Sequence, residues 1–140
     1  MSIEYVYNTS FSLVNENKVS KWLNSAVESE GFSIGDVVYA FFDDKDLKEM
    51  NNKHLGHDYY TDVISFNDSA EDLLIGNIAI SIDRVKDNAA TFNSSFEDEL
   101  LRVMVHGVLH FMGYNDSNEA EKEIMRNKEN DKIKMFHVEL

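Results

Sequence analysis

Apolar residues recur along this chain at two different spacings, and the change from one to the other separates a strand-rich first half from a helical second half. A short alternation from Ile3 to Tyr7 predicts a first strand. Val19, Trp22, Leu23, Ala26 and Val27 then fall at three- and four-residue intervals, which predicts a helix closed by Gly31. The run from Asp36 to Phe42 is rich in β-branched and aromatic residues and predicts a buried strand. Asp43 or Asp44 is placed to cap a short helix that reaches Lys53 and turns Leu47 and Met50 inward.

Thr61 to Phe66 and Leu73 to Ile82 give two more strands, joined as a hairpin by the acidic loop Asn67 to Asp72. From Ile82 onward the period is helical. One helix is predicted from Ile82 to Phe92, and Ser95-Phe96-Glu97-Asp98 caps the next. Leu100 to Met112 is apolar nearly all round, the mark of a buried central helix rather than an amphipathic surface one. Asn118 to Phe136 predicts a charged C-terminal helix with Ala120, Ile124 and Lys128 at similar angles and apolar contacts from Met125 and Ile133. The expected fold class is α+β, a mixed sheet of about four strands with helices packed mainly on one face around the central helix. No Pro-rich linker, repeat or low-complexity tract interrupts residues 1–140, which read as a single domain.

Charge narrows the partners. Asp and Glu number 26 against 13 Lys and Arg, a net charge of −13 that opposes non-specific binding to nucleic acid or anionic membrane. A polyanionic substrate would have to meet a local basic or metal-centred patch. The absence of cysteine excludes a disulfide framework and thiolate metal sites, and is compatible with a reducing cytoplasm. The stretch Met1 to Val6 lacks the basic and apolar regions of a signal peptide, and no apolar run approaches bilayer-spanning length. The expectation is a cytoplasmic protein with no membrane partner.

The buried helix carries the candidate chemistry. His106 and His110 lie four residues apart, separated by about 40° around the axis and roughly 6 Å along it, so both imidazoles can reach one ion. Gly113 supplies the left-handed conformation that ends a helix and lets Asp116 return toward the same point. Two nitrogens and a carboxylate oxygen suit zinc, and a site short of four protein ligands is the catalytic kind. The plainer alternative is a chance pair of core or surface histidines. Against it, two buried imidazoles need polar partners, and one ion satisfies both.

Three segments in order extend this beyond one motif. His106-Gly107-Val108-Leu109-His110-Phe111-Met112-Gly113-Tyr114 follows Thr61-Asp62-Val63-Ile64-Ser65-Phe66 and Leu74-Ile75-Gly76-Asn77-Ile78-Ala79-Ile80-Ser81. Together they resemble the YbeY family of bacterial metallo-endoribonucleases over most of the last two-thirds of the chain. The resemblance implies zinc-dependent hydrolysis of single-stranded RNA, in maturation of the small-subunit ribosomal RNA 3′ end and in ribosome quality control. It implies ribosomal RNA and the ribosome or its proteins as partners, and no DNA. Three positions depart from the family pattern. Asp116 stands where most members have a third histidine, Asn77 where an aspartate is usual, and Leu55 where an arginine is usual, with Lys53 and His54 the nearest substitutes.

Roles around the triad remain open in the sequence. Gly107 occupies the place of a zinc protease's glutamate, so a general base must come from elsewhere; Asp62 is the candidate, against its commoner use as a strand-end or turn carboxylate. Lys53, Arg84 and Arg102 are candidates for phosphate binding, each with a surface ion pair as the alternative. Arg102 leads them because it lies four residues before His106 on the same helix face. Lys122, Arg126, Lys128, Lys132 and Lys134 interleave with Glu121, Glu123, Glu129 and Asp131, which reads as a salt-bridged solvated face. His54 and His57 flank a helix end and read as loop residues, and His137 as solvated. Tyr59 and Tyr60 could stack on unpaired bases or simply pack. Two other functions compete: a metzincin-like metalloprotease, from the ligand spacing, and a non-catalytic ribosome-associated factor with a structural metal.

Overall fold

All four predicted strands join one sheet in the computed structural model, which describes residues 2–138. In chain order the elements are β1 (Ser2–Asn8), α1 (Glu16–Glu28), β2 (Ser33–Phe42), α2 (Asp44–Leu55), β3 (Val63–Asn67), β4 (Leu73–Ser81), α3 (Ile82–Thr91), α4 (Phe96–Phe111) and α5 (Glu119–Val138). Strand order is β1-β2-β4-β3, with β1, β2 and β4 parallel and β3 antiparallel to β4. The predicted hairpin is therefore present, with Val63 opposite Ile80. The fold is α+β with a mixed sheet.

Alternation along the strands gives the sheet two apolar faces. Val37, Tyr39 and Phe41 of β2 join Leu74, Ile78 and Ile80 of β4 in the main core with α1, α4 and α5. On the other face a smaller cluster forms from Leu47 of α2, Ile64 and Ala79, flanked by Phe42, Met50 and Phe66. Helices thus lie mainly on one face, as expected, with α2 covering the other. The carboxylate of Asp43, at the α2 cap position, accepts from Thr9 Oγ1 at 2.6 Å instead of capping the helix. Asp83 of α3 takes the Asp44 amide at 2.8 Å, so the cap is tertiary.

Helix α4 is buried over most of its length, and the Ser95 hydroxyl caps its start by accepting from the Asp98 amide at 3.1 Å. It rests on β4 at Gly107. A Cβ at that position would come within 2.7 Å of Ile78 Cδ1, so glycine sets how closely helix and sheet approach. The buried Tyr39 hydroxyl donates to the Met104 carbonyl at 2.7 Å and pins the helix from β2. Gly113, at φ +101°, reverses the chain as predicted.

Helix α5 departs from the expectation. Its inward stripe is Met125, Glu129, Lys132, Ile133 and Phe136, while Ile124 is 51% exposed. The interleaved charges are not uniformly a solvated face, because Glu129 and Lys132 are buried with specific partners. Lys132 Nζ donates to Glu30 Oε2 at 2.6 Å and to Ser29 Oγ at 2.9 Å, and Lys128 Nζ reaches Glu30 Oε2 at 3.0 Å. The Tyr114 hydroxyl adds a third donor to Glu30 at 2.6 Å. The physical reason is that long basic side chains cross apolar surface and end on a carboxylate at the end of α1, a burial that hydrophobicity patterns do not register.

Two outcomes follow from this packing. Gly107→Ala pushes against Ile78 and should cost about 1–3 kcal/mol, the usual range for overpacking a filled core, read as a lower urea midpoint at unchanged slope; an unchanged midpoint would refute the close approach. Burial opposes ionisation of Glu30, but Lys132, Tyr114 and Lys128 outweigh it and lower its pKa from 4.5 to about 2. Its contribution to stability is therefore complete above about pH 4.5 and lost as pH falls toward about 2. In denaturant titrations across that window wild type should lose more stability than Glu30→Gln, and parallel curves would contradict the clamp.

Candidate metal centre

The two helical histidines and the post-turn aspartate converge. Oδ2 of Asp116 lies 3.4 Å from His106 Nε2 and 3.4 Å from His110 Nε2. All three residues are half-buried, and their ligand atoms lie within 4.8 Å of one another. Those contacts are long for hydrogen bonds, which are mostly 2.7–3.2 Å. They match the edge of a tetrahedron built on bonds of about 2.0–2.1 Å, whose corners are about 3.3–3.4 Å apart. The residues present fit a divalent metal, and they supply three of the four ligands of a tetrahedral site.

A fourth residue, missed in the sequence, orients the site. Glu129 of α5 is buried, and its Oε2 lies 2.6 Å from His106 Nδ1. The ionised carboxylate accepts, so Nδ1 carries a proton and Nε2 is directed toward Asp116. Arg102 Nη1 donates to the other oxygen, Oε1, at 2.9 Å, while Nη2 donates to Asn130 Oδ1 at 2.8 Å. Burial works against the Glu129 charge, but His106 and Arg102 outweigh it and hold its pKa below the usual carboxylate value. Burial likewise opposes a charged His106, but Glu129, then Asp116 and Asp62, push its pKa up. The signal available in the sequence was the spacing of Met125, Glu129, Lys132, Ile133 and Phe136, a helical stripe with two charged members.

Asp62 sits just before β3 and lines the same cavity as His106, Asp116 and Glu129, about 260 Å³ in volume. Asn88 Nδ2 donates to its carboxylate at 3.2 Å, and its carbonyl accepts from the Ser81 amide at 2.9 Å. Burial raises its pKa, against the opposing charge of His106. Buried Glu99 lines this cavity too, and burial raises its pKa as well. Asn77 is exposed and alternates onto the face opposite Ile78, so its departure from the family pattern does not touch the site.

The other candidates lie apart. Arg84 is engaged by Asp44 at 3.1 Å and Asp87 at 2.6 Å. Lys53 and Leu55 are exposed on α2, on the opposite face of the sheet, and line neither cavity beside the triad. His57 stacks on Tyr59 with centroids 5.2 Å apart, and His54 meets the edge of Phe66. Tyr59 and Tyr60 are about half exposed, and Lys48 lies over the Tyr60 ring at 4.7 Å. His137 is paired with Asp98 at 2.6 Å rather than simply solvated. No helix among the described residues is long and apolar enough to cross a membrane.

Fold and site together define an α+β protein in which two histidines of a buried helix and an aspartate after it form a group that could hold a metal ion. The family profile described as Endoribonuclease YbeY matches residues 5–137. The Endoribonuclease YbeY of Flavobacterium johnsoniae is 47% identical over 137 residues, covering 98% of this chain and 99% of that protein. Its counterpart in Christiangramia forsetii is 45% identical, covering 98% and 96%. The solution structure of TM1509 from Thermotoga maritima aligns with a TM-score of 0.75 at 29% identity, over 99% of this chain and 91% of that one. The chain belongs to the endoribonuclease YbeY family.

Glu129→Gln should leave the triad in place but loosen the His106 ring, weakening metal binding about 10- to 100-fold in chelator competition. Because Glu129 favours the charged imidazolium, whose Nε2 proton a metal must displace, affinity in wild type should fall as pH is lowered. Equal affinity in the two proteins would remove Glu129 from the site.

Proposed function

We propose that residues 1–140 form a single metal-dependent hydrolase domain that cleaves single-stranded RNA, with zinc held by His106, His110 and Asp116. The observation that carries this reading is the common 3.4 Å approach of Asp116 Oδ2 to both imidazole Nε2 atoms, beside a cavity also lined by the carboxylates of Asp62, Glu99 and Glu129. Family membership supports RNA as the substrate. The same membership is the ground for assigning ribosomal RNA maturation at the small-subunit 3′ end, with ribosome quality control, and the ribosome or its proteins as partners. A net charge of −13 favours such a partner, which would raise the local concentration of RNA at an otherwise repelling surface without being required for cleavage of a short strand.

A bound zinc would act as a Lewis acid and bring the pKa of its water toward neutrality. The remaining chemistry belongs to side chains. Asp62 accepts the proton of the attacking water at its carboxylate, a role suited to a group that burial makes a stronger base than a free aspartate. Glu129 holds the His106 ring, and Arg102 holds Glu129, so Arg102 is a positioning residue rather than a phosphate ligand. The protease alternative is disfavoured by packing: position 107 faces Ile78 and has no room for the glutamate such an enzyme needs there. A purely structural metal is disfavoured by the donor set, which is one residue short of the four that structural sites use.

Zinc-loaded chain should cleave a single-stranded oligoribonucleotide and leave unfolded casein intact, and robust casein cleavage with inert RNA would overturn the reading. Asp62→Asn should lower kcat about 10²- to 10⁴-fold, the range for a lost general base, with metal content unchanged. An undiminished kcat would assign Asp62 to the turn alone.

A further inference from the structure

We propose that Arg126, assisted by Lys122, binds a phosphate of the RNA strand beside the metal centre. The proposal rests on the RNA-hydrolase reading above.

The chain has three arginines, Arg84, Arg102 and Arg126. Two are committed to carboxylates within the fold: Arg84 to Asp44 and Asp87, and Arg102 to Glu129. Arg126 is exposed and makes no hydrogen bond or ion pair with any described residue. It nonetheless borders the site twice. It lines the cavity that contains Asp62, and also a neighbouring one of about 260 Å³ bounded by His106, Asp116 and Lys122. Lys122 is 58% exposed, with only a loose contact to Glu119 at 3.7 Å.

Helix geometry explains the placement. Lys122, Arg126 and Glu129 are spaced by four and three residues, so they share one face of α5. Glu129, deepest of the three, fixes that face against His106. The contact that orients the imidazole therefore also delivers the guanidinium to the rim of the metal centre. Charge explains the need. Asp62, Glu99, Asp116 and Glu129 crowd the cavities, and a phosphodiester entering them is repelled unless a fixed cation meets it. A guanidinium offers two parallel donors to phosphate oxygens, whereas Lys122 supplies a point charge.

The test uses zinc-loaded protein, a short single-stranded oligoribonucleotide, and the variants Arg126→Gln, Arg126→Lys and Lys45→Gln, the last a matched charge loss on α2. Losing a hydrogen-bonded charge contact should reduce kcat/KM for Arg126→Gln about 10- to 100-fold at low salt. It should also flatten the dependence of log kcat/KM on log salt by about 0.7, the slope of one phosphate contact on a single strand. Arg126→Lys should recover the salt slope and part of the rate, Lys45→Gln should match wild type, and metal content should be equal throughout. If Arg126→Gln behaves like Lys45→Gln while wild type cleaves, the proposal fails and the function stands. If Arg126→Gln loses metal, its role is structural and the proposal also fails. If fully metal-loaded wild type cleaves no RNA, the function fails and the proposal with it.

Discussion

A carboxylate taken out of water must be matched by donors, and Glu129 is matched from two directions by one helix. His106 contacts one oxygen and Arg102 the other, a turn apart on α4, so the buried charge joins α5 to α4 at a single point. Around that point the site is ordered: the bond to Nδ1 turns Nε2 toward Asp116, and Arg102 is occupied before any substrate arrives. Replacing Glu129 by an apolar residue would leave Arg102 without its carboxylate and His106 without an orienting acceptor. That makes it a constraint on the site as well as on the fold.

Packing supplies the rest of the precision. Gly107 lets α4 descend onto Ile78, and Tyr39 grips the helix backbone from beneath, which leaves His106 and His110 at the rim of the core. Gly113 returns the chain so that Asp116 closes the triad. The price of this arrangement is a centre rich in negative charge, with Asp62, Glu99 and Glu129 around the aspartate ligand. Such a field attracts a divalent cation and repels a polyanion, so the same residues that favour metal binding oppose the approach of a phosphodiester unless a local cation meets it.

Much of this was legible in the sequence because it depends on local signals. Strand alternation, the Ser95 cap, the glycine after His110 and the four-residue histidine spacing each act over a few residues, and each appears in the structure. What escaped depends on contacts between distant segments. Helix α5 looked like a solvated charged surface because Glu129 and Lys132 are polar. Their partners, His106 and Arg102 for one and Glu30 for the other, lie 23 to 102 residues away. The Asp44 amide is likewise capped by Asp83, 39 residues on. A helical stripe that includes charged members implies buried ion pairs, but not which ones.

The central claim is that His106, His110 and Asp116 bind one metal ion together. Elemental analysis of the wild-type chain and of Asp116→Ala, both dialysed against excess zinc and then against buffer, tests it most directly. About one zinc per wild-type chain, with most of it lost from the variant, is the expected result for a three-ligand centre. Equal zinc in both proteins would contradict the account.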